Sequence, residues 1–318
     1  MTYKILIADK LGNAGLERLS QMSDVAYDLR TGLSKEALLE AIADYDAVIV
    51  RSDTFIDADV IAAGKRLKVI GRAGIGVDNI DVPAATAHGV MVMNTPHSNS
   101  VATAEQTFTL LLATSRRTVP AHNSLAAGQW ERSRFVGTEL YGKTLGIIGF
   151  GYIGRLVARR AQAFGMNVVA YDPYVPTETA IELDVKLLPL DELLAASDLI
   201  TLHAIVTPET KGIINTATIA QMKDGVIIVN VARGKLIDEQ ALAEALQSGK
   251  VAAAGLDVYQ EEPPAGSPLI GLPNVIHTPH LGASTQEAQK NVGIEIVEQI
   301  AEALRGAAYR NVLNPIGG

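Results

Sequence analysis

Along this chain, short unbroken apolar runs alternate with longer segments whose apolar residues recur at helical spacing. Runs of the first kind are long enough for buried strands and too short for helices. In the first third they fall at residues 4–8, 47–50, 67–70 and 90–93, with helical periodicity at 15–22, 35–43, 57–63 and 82–87. A longer helical segment follows at 100–117, with Ser100 as its expected cap. Further apolar runs lie at 144–148, 168–170, 199–203, 226–231, 254–258 and 274–278, separated by helical patterns at 190–196, 216–222 and 240–247. A long amphipathic segment at 285–304 comes last. Strands alternating with helices in this way predict parallel sheets covered on both faces.

One stretch, residues 142–172, organises the rest. Its apolar run ends in Gly149-Phe150-Gly151-Tyr152-Ile153-Gly154, a helical segment follows, and a second run ends at Asp172. Each part suits a dinucleotide. Gly149 permits the tight turn, Gly151 lets the backbone approach a pyrophosphate, and Gly154 lets helix and strand pack closely. The phosphates would sit at the positive end of the helix dipole. Asp172 stands 18 residues after Gly154, where a ribose hydroxyl needs an acceptor. A carboxylate there repels a 2′-phosphate, and Pro173 and Tyr174 offer no arginine to receive one, so NAD is the expected cofactor. The expected fold class is α/β, with two doubly wound parallel-sheet domains. A Rossmann NAD domain of about six strands, residues 98–284, is inserted in a flavodoxin-like substrate domain made of 1–97 and 285–318.

At 318 residues the chain has material for two cores, and 48% hydrophobic content argues against disorder. No apolar run approaches the ~20 residues of a membrane span, and the N-terminus lacks a signal-peptide layout, so a cytoplasmic protein is expected. The net charge of −8 argues against nucleic acid or anionic membrane as a partner. There is no cysteine, and the six histidines show no metal-ligand spacing, so no metal is expected.

Ligands of open α/β sheets bind beyond the carboxyl ends of the strands. Three successive strand ends of the second domain supply Arg233, the pair Glu261-Glu262 before two prolines, and His280. A guanidinium can hold a substrate carboxylate through two parallel hydrogen bonds. An imidazole can accept a hydroxyl proton during oxidation and return it during reduction, and a carboxylate beside it fixes its tautomer. Each residue alone fits a solvated loop; together, beside a dinucleotide turn, they read as one site. Arg51 and Arg72 follow strand ends of the first domain, where a phosphate would need cations. The segment 128–135 places Trp130 beside Arg132 and Arg134, as a subunit or domain contact or as part of catalysis.

On GRAGIGVDNID (71–81), NTPHSNSVATAE (94–105), WERSRFVGTEL (130–140), GIIGFGYIG (146–154), NVARGKLIDE (230–239), LDVYQEEPP (256–264) and PHLGAST (279–285), the chain resembles the D-isomer-specific 2-hydroxyacid dehydrogenases over almost its whole length. EEPP, PHLGAST and GTEL point to the branch that oxidises D-3-phosphoglycerate to 3-phosphohydroxypyruvate with NAD, in serine biosynthesis. The resemblance implies Arg233 as substrate anchor, Glu262 as orienting acid and His280 as acid–base. It implies cofactor contacts at Ile75, Tyr152, Ile153, Asp172, Ala204, Val231, Ala232, Asp257, Gly282 and Ala283, beside the glycines 149, 151 and 154. Substrate contacts are implied at Arg51, Arg72, Gly76 and Asn99, and a homodimer is implied through the middle domain.

The chain departs from that branch at His97-Ser98, where Asn-Gly is common, and at Ala204-Ile205, where Thr-Pro is common. His97-Ser98 leaves open a second reading, a hydroxypyruvate or glyoxylate reductase; a third, of another class, is an NAD(H)-sensing binding protein like the corepressors of the family. Many members continue into a C-terminal domain that binds serine. This chain stops at Asn311-Val312-Leu313-Asn314-Pro315, where such a linker would begin, so feedback through that domain is not expected of it.

Overall fold

The structure, a computed structural model, describes residues 2–314; Met1 and residues 315–318, including Pro315, lie outside it. The chain divides into two compact units, one made of the residues up to Asn99 with those from Ala283 onward, the other of Ser100–Gly282.

The first unit holds β1 (Tyr3–Ile7), β2 (Val25–Leu29), β3 (Ala47–Val50), β4 (Val69–Arg72) and β5 (Met91–Asn94), in the order β2-β1-β3-β4-β5 and parallel throughout. Successive side chains point to opposite faces. Leu6, Val48, Ile70 and Val92 enter one core, while Ile5, Ile7, Ile49, Val69 and Met93 enter the other. Burial on both faces explains why these strands read as unbroken apolar runs. The edge strand β2 escapes that rule: its residues are half-buried or exposed, so VAYDL carries no apolar run to announce it. The helix Gln286–Leu304 returns to this unit, packs on β4 and β5, and buries Val292, Ile296, Val297 and Ile300 in the core on that face. Gly15 lets the helix Asn13–Ser20 approach it closely, since a Cβ on Gly15 would lie 2.9 Å from the Gly293 carbonyl oxygen.

The second unit holds β6 (Thr144–Ile148), β7 (Asn167–Tyr171), β8 (Lys186–Leu187), β9 (Leu199–Leu202), β10 (Val226–Asn230), β11 (Val251–Leu256) and β12 (Val275–His277). Their order is β12-β11-β10-β9-β6-β7-β8, again all parallel. The sheet thus has seven strands rather than about six, because the two-residue β8 adds to the β7 edge and is too short to show a period. The helix Ser100–Ser115 packs on β10, β11 and the helix Tyr152–Ala163. It starts at Ser100, which is therefore the first helical residue and not the cap. It stops short of Arg117, whose left-handed backbone (φ 53°) breaks the pattern before a separate helix, Thr118–Ala126. Strand order reverses between β6 and β9, and ligands of open α/β sheets bind at such a reversal. Among the described residues no helix is long and apolar enough to cross a membrane.

Candidate active site

At the β6 end the chain turns through Gly149 (φ 93°), where a Cβ would overlap the His203 carbonyl and the Ala204 amide. A Cβ on Gly154 would overlap the Gly149 carbonyl, so that glycine is what lets the helix Tyr152–Ala163 start so close to the strand. A Cβ on Gly151 would meet no atom within 4 Å, which leaves the backbone open to a pyrophosphate beside the helix's first amides. Asp172, just past β7, accepts the Phe150 amide (2.8 Å) and the Tyr174 amide (3.0 Å). Its carboxylate therefore holds the glycine turn in shape, a task its spacing alone did not foretell. Ala204 follows β9 by two residues, and Val231 and Ala232 follow β10, where the Asn230 side chain accepts the Ala232 amide at 3.0 Å. Tyr152 is half-exposed beside Arg155, and Ile153 packs on the core beneath. Gly282 faces Val231 and Asp257. Ile75 and Ala283 belong to the other unit.

Arg233, Glu262 and His280 follow the ends of β10, β11 and β12, three adjacent strands. His280 Nδ1 lies 2.7 Å from Glu262 Oε2, and Glu262 Oε1 accepts the Tyr259 amide at 3.1 Å. Burial pushes the Glu262 carboxyl up. The His280 hydrogen bond and charge, the Tyr259 amide and the Arg233 charge outweigh it and hold the carboxyl below its usual range. His280 has a left-handed backbone (φ 53°), which a histidine adopts only where its surroundings enforce it. Its amide donates to the carbonyls of Asp257 (2.8 Å) and Thr278 (3.1 Å). The buried Asp257 carboxylate accepts from Thr278 Oγ1 (2.5 Å) and from the amides of Leu281 and Gly282 (both 2.8 Å). Asp257 thus shapes the His280 loop, whatever it also offers a cofactor. The Arg233 side chain donates to the Ala232 carbonyl at 2.7 Å. Beside it, a Cβ on Gly234 would overlap the Tyr259 carbonyl, so the arginine turn and the Glu262 loop interlock backbone to backbone.

The other four expected positions lie in the first unit. Arg51 follows β3; its amide donates to Asp9 Oδ2 (2.5 Å) and its carbonyl accepts Asn79 Nδ2 (2.8 Å). Arg72 ends β4 and reaches the Ala73 carbonyl (3.2 Å). The turn leading to Gly76 is held by Thr95, whose amide donates to the Gly74 carbonyl, and by Asn94, which donates to the Ile75 carbonyl. Asn99 is buried where the unit ends. Trp130 is 76% exposed, and Arg134 pairs with Glu131. Among the described residues no cluster of three or more metal-ligating side chains occurs.

Residues 108–282 match the D-isomer specific 2-hydroxyacid dehydrogenase, NAD binding domain. The chain belongs to the D-isomer specific 2-hydroxyacid dehydrogenase family. The matched span holds the glycine turn, Asp172, Arg233, Glu262 and His280, and NAD is its cofactor. A D-3-phosphoglycerate dehydrogenase of Methanocaldococcus jannaschii is 53% identical over 312 residues, and one of Mycobacterium leprae 49% identical over 314. The alignments cover 98% and 99% of this chain and 59% of each relative, so the chain spans well under two thirds of their length. A solved glyoxylate reductase from Paecilomyes thermophila superposes with a TM-score of 0.89 at 36% identity, covering 98% of both chains.

This family chain also carries supporting groups that its motifs did not single out. Tyr259 is buried, and its hydroxyl meets His277 Nδ1 at 2.8 Å. Burial pushes the Tyr259 phenol well up and the His277 imidazole down. His203, beside the glycine turn, is pushed down to about 3 by burial, and its Nε2 lies 3.0 Å from Thr201 Oγ1. All three sit next to strand ends, which was the one signal available in the sequence.

Proposed function

We propose that the protein oxidises D-3-phosphoglycerate to 3-phosphohydroxypyruvate, and reduces it in reverse, with NAD as hydride carrier. The observation that carries this reading is the His280–Glu262 pair at 2.7 Å, which with Arg233 follows three adjacent strands of the sheet that also carries the glycine turn. The names of the relatives at about half identity supply the substrate. Glu262 engages Nδ1, which leaves Nε2 to face the substrate hydroxyl. In oxidation, Nε2 takes the hydroxyl proton, and Glu262 stabilises the resulting imidazolium. Arg233 grips the substrate carboxylate and orients the C–H bond. NAD, when bound, accepts the hydride; Gly149, Gly151, Gly154, Asp172 and the residues past β9 and β10 would hold it. Arg51 and Arg72 receive the phosphate, and Arg51 has no carboxylate partner among the described residues, which suits it to an anion from outside.

NADH oxidation with 3-phosphohydroxypyruvate, hydroxypyruvate and glyoxylate side by side tests the proposal. A strong preference for the phosphorylated acid supports it. Preference for the small acids moves the protein to the reductase reading, which the glyoxylate reductase match favours. Absence of turnover with tight NADH binding moves it to the sensing reading. The same proposal places the protein in the cytoplasm as a homodimer. Leu125, Trp130, Val136 and Tyr141 are large exposed apolar side chains between residues 118 and 141, and they support a subunit contact there. Sedimentation at micromolar concentration checks it: a monomer contradicts the dimer.

A further inference from the structure

Glu239 opens the helix Glu239–Ser248, yet it is only 9% exposed. The helix does not need it as a cap, because Asp238 already accepts the amides of Gln240 and Ala241 at 3.1 Å. Its carboxyl reaches away from the helix instead. One oxygen accepts the Gln260 amide at 2.7 Å and the other accepts Ser267 Oγ at 2.5 Å. Those two partners are the ends of the loop that carries Glu262. Gln260 reinforces the tie by donating its own side chain to the Ile237 carbonyl at 2.6 Å. A buried acid needs hydrogen-bond partners, and both of Glu239's partners belong to that one loop. Its lever on the chemistry is short. The Gln260 amide is one residue from the Tyr259 amide, which donates to Glu262 Oε1.

We infer that Glu239 is a positioning residue for the acid–base pair: one buried carboxyl holds both ends of the loop and so sets where Glu262 meets His280. The inference rests on the reading of Glu262 and His280 as that pair. It differs from simple anchoring in one respect. A structural anchor adds its loss to any other defect, whereas a residue that acts through Glu262 has nothing left to lose once Glu262 is disabled.

The test uses Glu239→Ala, Glu239→Gln and Ser267→Ala, each alone and with Glu262→Gln, assayed with NADH and 3-phosphohydroxypyruvate from acid to alkaline pH. Glu239→Ala is expected to lower kcat by up to about 100-fold, the scale of a displaced catalytic group. It should also shift the pH profile and leave the NADH dissociation constant unchanged. Glu239→Gln can still accept the Gln260 amide and donate to Ser267, so it should restore most of the rate. Ser267→Ala cuts one tie and should lose less, in the same direction; it carries the test should Glu239→Ala fail to fold. In the Glu262→Gln background all three losses should vanish. Losses that multiply with Glu262→Gln, or a pH profile that stays put, overturn the inference and leave the acid–base reading standing. Full turnover in Glu262→Gln by itself overturns that reading and the inference with it.

Discussion

In the nucleotide-binding unit, Glu262 meets the His280 ring itself, at 2.7 Å. In the other unit, Asp9 and Asn79 hold the backbone of Arg51, at 2.5 and 2.8 Å, and do not touch its guanidinium. The two arrangements suit different tasks. A side chain that moves a proton must present one chosen nitrogen, and pairing the ring with a carboxylate selects it. A cation that receives a phosphate needs a fixed starting point and an adjustable end, which a clamped backbone with a long side chain provides. Buried acids serve both: Asp257 and Glu239 in one unit, Asp9 in the other, each accepting hydrogen bonds from a loop rather than pairing with a cation.

The sharpest way to break this comparison is His280→Ala, expected to lower turnover by about 100- to 10,000-fold. Unchanged kcat would remove the proton-transfer role. Arg51→Ala should act on binding: loss of a charge-assisted contact predicts a KM for 3-phosphohydroxypyruvate raised about 10- to 100-fold, with hydroxypyruvate nearly unaffected. Equal losses on both acids would deny Arg51 the phosphate. Gly234→Ala should destabilise by about 1–3 kcal/mol in urea unfolding, because the added methyl has no place between the arginine turn and Tyr259. A wild-type midpoint would show that the two turns are not locked together.

The smallest effect is absent at neutral pH. His203 is lowered in the fold from 6.5 to about 3, so the unfolded chain binds the proton first. Its contribution is complete above 6.5 and is lost progressively as pH falls towards 3. Glu262, lowered from 4.5, contributes above that value and is lost as pH falls through its folded value. His203→Asn should therefore flatten the decline in stability below pH 6.5. An unchanged slope would mean His203 is hydrated in the native protein.

Most central strands were legible because they are buried on both faces and read as apolar runs. The edges β2 and β8 were not: one is half solvated and the other has two residues. The separate helix Thr118–Ala126, which begins just past the left-handed Arg117, was not foreseen, since the expected helix ended at 117. In the site, Arg233, Glu262 and His280 could be listed from their places after strands. Their supports could not. Glu239 looks like an ordinary acid in a helix's first turn, and Asp257 like a residue at the end of a strand.

By itself, the sequence determined what depends on near neighbours: strand and helix periods, the glycine turn with its acid, and the residue types after each strand. Those follow from local sterics and from the need to bury apolar side chains. Only the tertiary structure decided which atoms meet. His280 and Glu262 are 18 residues apart, and Glu239 and Ser267 are 28 apart. Such pairs form because β10, β11 and β12 lie side by side and direct their loops to one end of the sheet. The order of strands, set by packing across the whole unit, brings them within hydrogen-bond reach.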